Sequence, residues 1–126
     1  MKKVIPVLLF LAINILYSCK KDVTNLTVGI DVQSSFNNDN VQLLIDGNQL
    51  MNRPLQTDYA LGVCYVDGQI VLTKNKGTHE IKVVVNNTIT KTETFSLSNA
   101  LYIGINYDRQ IQKISFIYSH TRFMYD

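Results

Sequence analysis

The sequence predicts an all-β protein that forms a single antiparallel β-sandwich. From Val23 onward, apolar residues alternate with polar ones at a period of two, as in strands with one buried face. β-Branched and aromatic residues are frequent in these segments, and turn residues separate them at the spacing of about 8 to 12 residues seen in sandwiches and barrels. No helical pattern follows the first 18 residues. A small up-and-down β-barrel is the alternative fold, because it has the same local pattern.

The first predicted strand runs from Leu26 to Val32, and the second begins at Val41 and ends at Ile45. The polar segment 34–40 between them is predicted to be a loop. Its Asn and Asp side chains suit a turn for backbone reasons, an interpretation we prefer to a calcium site. Asp46-Gly47 predicts a tight hairpin, because both turn positions need a positive φ.

After this hairpin, residues 49–52 are predicted to return as a short strand. Pro54 lacks an amide hydrogen, so the segment 53–56 is either a loop or a sheet edge. The apolar run Tyr59–Val66 predicts a further strand, and Asp67-Gly68 predicts a second hairpin that pairs it with residues 69–73.

The rest of the chain predicts four more strands, at residues 79–85, 88–97, 101–107 and 111–118. The total is about eight or nine strands. Residues 50–56 and 88–94 are the predicted sheet edges, because Pro54, Lys91 and Glu93 would discourage indiscriminate strand pairing there.

The first 18 residues predict an export signal. Lys2 and Lys3 precede an apolar stretch from Val4 to Leu16, which is too short for a stable membrane-spanning helix. The chain has 12 Lys and Arg residues against 10 Asp and Glu residues, so these two lysines account for the whole positive excess. The rest is neutral and has no clustered basic face, which argues against nucleic-acid binding.

Leu16-Tyr17-Ser18-Cys19 resembles the lipobox of bacterial lipoproteins, and the string from Ser18 to Asp22 is similar to lipoprotein leaders of the Bacteroidota. The resemblance implies cleavage before Cys19 and attachment of lipid, including palmitate, to this cysteine. Several acyl chains suffice for stable membrane anchoring. The predicted organisation is then a signal peptide at 1–18, a lipidated cysteine and tether at 19–25, and a β-sandwich domain at 26–126.

The same resemblance implies delivery to the outer membrane, because Lys20 stands where an aspartate would signal retention in the inner membrane. Lys20, Lys21 and Asp22 are less acidic than the surface-export signals of the Bacteroidota. Both the periplasmic face and the cell surface therefore remain open.

Residues 41–97 resemble small immunoglobulin-like accessory domains of the PEGA and carboxypeptidase-regulatory type. The shared features are the alternation through Val41, Leu43 and Ile45, followed by Asp46-Gly47, and the later pattern from Gly77 to Val83. The resemblance implies an immunoglobulin-like sandwich that docks or spaces other parts without catalysis.

The sequence offers no catalytic residues, no metal ligands and no cofactor motif, so we expect a protein that is not an enzyme. His79 and His120 are the only histidines, and no zinc or nucleophile signature surrounds them. Cys64 cannot pair with a lipidated Cys19, and its apolar neighbours predict a small buried side chain.

Tyrosine is abundant, with seven residues against no tryptophan. Tyr102 and Tyr118 fall out of phase with the apolar faces of their predicted strands, so they either form a recognition surface or pack across strands. Phe123 and Tyr125 lie in an apolar C-terminal tail, which either tucks against the sandwich or waits for a partner. These four residues are the candidate binding surface.

The sequence therefore predicts a lipoprotein of the cell envelope that acts as a non-enzymatic interaction or accessory module, with the membrane and an envelope protein as its partners. The alternative is a lipoprotein that binds a small ligand or glycan through exposed tyrosines.

Overall fold

Eight strands account for most of the chain in the computed structural model, which describes residues 25–65 and 67–125. They are β1 Asn25–Val32, β2 Asn37–Ile45, β3 Asn48–Gln56, β4 Gln69–Asn75, β5 Gly77–Val85, β6 Ile89–Leu97, β7 Leu101–Asp108 and β8 Lys113–Ser119. No helix occurs in the described residues, so the all-β prediction is confirmed.

The strands form two four-stranded sheets, in the orders β4-β1-β7-β8 and β3-β2-β5-β6. We call them sheet A and sheet B. They are not closed into a barrel, so the sandwich was the correct choice between the two predicted folds. Every strand pair is antiparallel except β1 with β7, which run parallel, with Val28 opposite Leu101 and Val32 opposite Ile105. The predicted antiparallel pairing is therefore wrong for the pair β1 and β7.

The core lies between the two sheets and is filled by alternate residues of the four central strands. Their side chains are at most 5% exposed. Burial of each such aliphatic side chain stabilises the fold by roughly 1.5–3 kcal/mol. The central core residues are Val28, Ile30 and Val32 of β1, Val41, Leu43 and Ile45 of β2, Ile81, Val83 and Val85 of β5, and Leu101, Ile103 and Ile105 of β7.

Two tight turns join strands of sheet B, and the first of them, at Asp46-Gly47, confirms the sequence prediction. Asp46 and Gly47 have φ values of 51° and 79°, and they join β2 to β3. Asn86 and Asn87 have φ values of 53° and 57°, and they join β5 to β6. Positive φ at both turn positions matches the right-handed twist of the flanking strands.

The segment after β3 differs from the prediction. Residues 59–65 form turns and a single bridge between Asp58 and Val63, and β4 pairs with β1 instead of with this segment. The second predicted hairpin at Asp67-Gly68 is therefore wrong. The apolar residues of this run have no regular alternation, and Val63 and Cys64 are buried as a plug at the end of the sandwich.

The polar segment before Val41 also differs. Residues 37–40 belong to β2 instead of a loop, because Asp39 is buried and accepts hydrogen bonds from the backbone of Asn37 and from the side chain of Asn86. A buried carboxylate needs such donors. Residues 53–56 form the second half of β3, which lies at a sheet edge, so the edge interpretation of Pro54 is confirmed and the loop interpretation is wrong.

The two predicted edges, β3 and β6, are the outer strands of sheet B. In sheet A the outer strands are β4 and β8. The strand registers also define two ends of the sandwich. Asn25 lies at the proximal end, beside Asn75. The distal end carries the segments 33–36, 57–65, 67–68, 86–88 and 109–112. β1, with eight residues, spans about 25 Å between the two ends.

The predicted signal peptide, Cys19 and the tether up to residue 24 lie outside the described residues. In the part of the chain that is described, no helix is long and apolar enough to cross a membrane.

Candidate functional site

The C-terminal tail lies on the outer face of sheet A. The Tyr125 hydroxyl donates a hydrogen bond to Asp31 Oδ2 at 2.7 Å and accepts one from Gln33 Nε2 at 3.0 Å. Phe123 is half-buried, and Met124 between them is 87% exposed. The tail therefore tucks against the sandwich through alternate side chains, although it does not form a further strand. Burial and the neighbouring Asp31 carboxylate raise the pKa of Tyr125 above its usual value.

Tyr102 lies under this tail. Its ring covers Gly29 of the neighbouring strand, where a Cβ atom would come within 2.5 Å of the Tyr102 ring carbon Cδ1. Glycine is thus required at position 29 by the close approach of the ring. The outward orientation predicted for Tyr102 is correct, because Tyr102 stands opposite Gly29 on the outer face.

A cavity of about 100 Å³ opens beside Tyr102 and Phe123. Its other walls are Gly29, Asp31, Gln69, Val71 and Arg122. The structure therefore brings together three of the four predicted surface residues: Tyr102, Phe123 and Tyr125 share the outer face of sheet A.

Tyr118 is elsewhere. It stands opposite Ile103, on the inward face of β8 with Ile114 and Phe116, and its hydroxyl donates to Glu93 Oε1 at 2.8 Å. The predicted outward orientation was wrong, because β8 begins at Lys113 and Ile111 lies in the preceding turn, which shifts the phase of the strand. Partial burial and the Glu93 carboxylate raise the pKa of Tyr118. Tyr118, which is 38% exposed, links the two sheets at their edges and does not share the outer face of sheet A with the other three residues.

Two tyrosines outside the predicted surface are the most exposed tyrosines of the described residues. Tyr59 is 69% exposed and Tyr65 is 62% exposed, and both lie in the segment 57–68 at the distal end. The sequence analysis placed them in a strand and missed them. The signal that could have found them is Asp58 followed by Gly62, a capping residue and a glycine with a φ of 77°.

Hydrogen bonds within this segment and to the sandwich flank the two tyrosines. The Thr57 amide, before Tyr59, donates to the carbonyl of Phe36 in the sandwich. Asp58 accepts bonds from Ala60 and Gly62, and its own amide donates to the carbonyl of Val63. Cys64 donates to Val32, and Gly68 donates to Cys64. The two tyrosines are thus presented on an anchored backbone, which lowers the entropy lost when they bind a partner. We call the described residues of this segment, 57–65 and 67–68, the tyrosine loop.

Cys64 lies beneath the tyrosine loop, 1% exposed, with its sulfur 3.6 Å from the Thr57 hydroxyl. Burial raises the pKa of the Cys64 thiol above its usual range. A thiol reacts as the thiolate, so this cysteine is inert in the folded protein. Its role is to fill the end of the core, as the sequence predicted.

Asp46 and His79 form a polar cluster at the proximal end. Asp46 Oδ2 lies 2.7 Å from His79 Nδ1 and 3.0 Å from Lys74 Nζ, and His79 Nε2 lies 2.6 Å from the carbonyl oxygen of Asn75. Both ring nitrogens of His79 therefore contact oxygen acceptors, so neither is free to act on a substrate. The cluster holds three chain segments together and has a structural role.

The described residues contain no group of three or more His, Cys, Asp or Glu side chains that could hold a metal ion. Asp39, in the segment weighed as a calcium site, forms an ion pair with Arg109 and accepts a bond from Asn86 at 2.8 Å. Its carboxylate oxygens are occupied by these donors. The features of this domain that can contact another molecule are therefore its exposed aromatic side chains and its strand backbone.

Comparison of the chain with family models, curated proteins and solved structures found no match. The resemblances to lipoprotein leaders and to accessory domains of the PEGA type therefore stay predictions.

Proposed function

We propose that this protein is a lipid-anchored interaction module of the bacterial cell envelope, which contacts a partner protein through its tyrosine loop. The observation that carries the proposal is the exposure of Tyr59 and Tyr65 on one anchored loop. Tyrosine is enriched at protein interfaces because it offers a large, rigid and amphipathic contact area at low entropic cost.

The position of the loop supports this proposal. Asn25, the first described residue, lies at the proximal end, and the tyrosine loop lies at the distal end. An anchor at Cys19 would attach through the proximal end. The loop would then face away from the membrane, about 25 Å farther out, where a partner can reach it.

The surface chemistry of the distal end also favours recognition. Ile111, in the segment 109–112 at the same end of the sandwich, is 66% exposed, and the charged side chain of Asp67, within the loop, pairs with Arg53 at 3.4 Å. Exposed aromatic and apolar side chains accompanied by charged ones are usual in a protein interface.

The anchor is tested by growing cells with labelled palmitate. The wild-type protein should incorporate the label and remain in the membrane fraction, whereas Cys19→Ala should lose both properties. Equal labelling of the two proteins would contradict the lipid anchor. Protease treatment of intact cells then distinguishes the two faces of the outer membrane, since only a surface-displayed protein is cut.

The interaction is tested by purifying the lipidated protein from its native envelope in parallel with a Tyr59→Ser/Tyr65→Ser variant. The same protein should accompany the wild type and be depleted in the variant. Met124→Ser is the matched control, because it removes an exposed apolar side chain elsewhere. If the variant retains the same protein, the tyrosine loop is not the contact site. If the wild type retains envelope glycan instead of a protein, the proposed protein partner is wrong.

A further inference from the structure

We propose that the open edge of β4 is a docking site for an extended strand of a partner protein, which adds to sheet A. β4 is the outer strand of this sheet and pairs with β1 on one side only. In an antiparallel pair, every second residue directs its amide and carbonyl groups away from the neighbouring strand. An outer strand therefore offers a row of hydrogen-bonding groups to an added strand.

The other three outer strands are protected. β3 contains Arg53 and Pro54, and β6 contains Lys91 and Glu93, which are the residues that discourage strand pairing. The edge of β8 lies against β6 of the other sheet, where Tyr118 bonds to Glu93.

β4 has no such protection over most of its length. Residues 69–73 contain no charge and no proline, and two of the five are Ile and Val. Lys74 is the first charged residue of the strand, and its ammonium group is neutralised by Asp46 at 3.0 Å. Val71, at the middle of the outward face, is 70% exposed. This edge is therefore the one suited to accept a strand.

The cavity of about 100 Å³ adjoins this edge, because Gln69 and Val71 of β4 form one of its walls. In strand addition, the backbone supplies affinity and pockets for alternate side chains supply specificity. A cavity of about 150 Å³ holds benzene, so this smaller one fits an aliphatic side chain of the size of alanine or valine. Phe123 and Tyr102 supply its apolar walls.

The charges around β4 define the partner further. Residues 69–77 contain two lysines and no acid. Neither Lys76 nor Arg122, which lines the cavity, forms an ion pair within the described residues. The Asp31 carboxylate, on the far side of the cavity, accepts the Tyr125 hydroxyl. The edge therefore fits a strand with an uncharged, β-branched centre and acidic residues at the one end that lies beside Lys76, since Asp31 and Asp67 lie at the other end of β4.

This inference goes beyond the proposed function, since it concerns the β4 edge and not the tyrosine loop. It is tested with the full-length lipidated protein in detergent micelles and a synthetic peptide in which Val and Thr alternate and aspartates stand at one end. Peptide should slow hydrogen exchange at alternate amides of β4 and leave β3 and β6 unchanged. No protection of β4, or equal protection of β3 and β6, would overturn the proposal.

Charge supplies a second readout. A matched peptide with terminal lysines should bind at least about tenfold more weakly, a difference of about 1.4 kcal/mol. Arg122→Glu should reduce this preference or reverse it. Equal binding of both peptides to the wild type would contradict the acidic partner strand.

Two substitutions locate the site. Val71→Glu should weaken binding of the acidic peptide at least about tenfold without lowering the melting temperature, because the side chain is exposed. Ile117→Glu is the control, since it changes an exposed apolar residue at the other edge of the same sheet. Tyr59→Ser/Tyr65→Ser should bind peptide normally, which separates this proposal from the tyrosine loop. Protection of β4 that rises with protein concentration alone would replace the partner strand by a second copy of this chain.

Discussion

Tyr118 donates a hydrogen bond to the Glu93 carboxylate at 2.8 Å, and this contact joins the edges of the two sheets. The ring of Tyr118 meets Phe116 edge to face at 6.5 Å, and Lys91 Nζ lies 5.7 Å from the Phe116 ring centroid. Aromatic and charged side chains thus connect the two sheets along β6 and β8.

Removing the Tyr118 hydroxyl should weaken the contact between β8 and β6 and so lower the stability of the fold. Tyr118→Phe keeps the ring and loses the bond to Glu93, so we expect the free energy of unfolding in urea to fall by about 0.5–1 kcal/mol, the lower part of the usual range because the site is partly exposed. Glu93→Gln keeps an acceptor oxygen and should cost less. An unchanged free energy in Tyr118→Phe would show that water replaces the bond without loss.

Deleting residues 121–126 should lower the melting temperature by several degrees, because Phe123 and Tyr125 pack on sheet A. Phe123→Ala alone should cost about 1 kcal/mol, which corresponds to about 4–8 °C in a domain of this size. Met124→Ala is the control, because that side chain is 87% exposed. A truncated protein that melts like the wild type would show that the tail adds nothing to the fold.

Gly29 should not tolerate a side chain while Tyr102 covers it. Gly29→Ala places a Cβ atom within 2.5 Å of the Tyr102 ring, and we expect a loss of about 1–3 kcal/mol on thermal or urea unfolding. Tyr102→Ala opens that space, so the double variant should lose less than the two single losses combined. Additive losses would contradict a direct contact between these residues.

Stability should decline in acid partly through Asp46. Partial burial raises its pKa, but hydrogen bonds from the Glu80 amide, His79 and Lys74 outweigh this effect and lower the pKa from 3.8 to about 2. The folded state thus favours the ionised carboxylate. Its contribution is present above about pH 4 and is lost as the pH falls towards 2.

Asp46→Asn tests this pH dependence, because asparagine also tolerates the positive φ of the hairpin. Between pH 5 and pH 2, the free energy of unfolding should fall less steeply in the variant than in the wild type, by an amount on the order of 1 kcal/mol after allowance for solvent screening. Parallel curves would show that another carboxylate is responsible.

The sequence pattern predicted those features of the fold that depend on residues close together in the chain, such as strand faces and tight turns. The alternation through Val41, Leu43 and Ile45 identified the inner face of β2, and Asp46-Gly47 identified the hairpin between β2 and β3. The pairing of β4 with β1 and the parallel pairing of β1 with β7 join segments that are distant in sequence. Nothing in the local period encodes these neighbours.

The surface residues show the same limit. The outward orientation of Tyr102 followed from its phase beside Leu101 and Ile103. Tyr118 was misplaced because its phase was counted from Ile111, which lies outside β8. Tyr59 and Tyr65 were missed because an apolar run was interpreted as a strand, although Asp58 and Gly62 fold it into a loop. Whether a side chain is exposed depends on the residue at which its strand begins, and the alternation of apolar and polar residues does not determine that residue.

The most direct test of the proposed function is photo-crosslinking in living cells, with a benzophenone amino acid at position 65 in the tyrosine loop or at position 99 in the turn at the proximal end. Our account predicts an adduct of one discrete mass, containing a second envelope protein, from position 65 and none from position 99. Adducts from position 99 instead, or equal adducts from both positions, would contradict an interaction through the tyrosine loop.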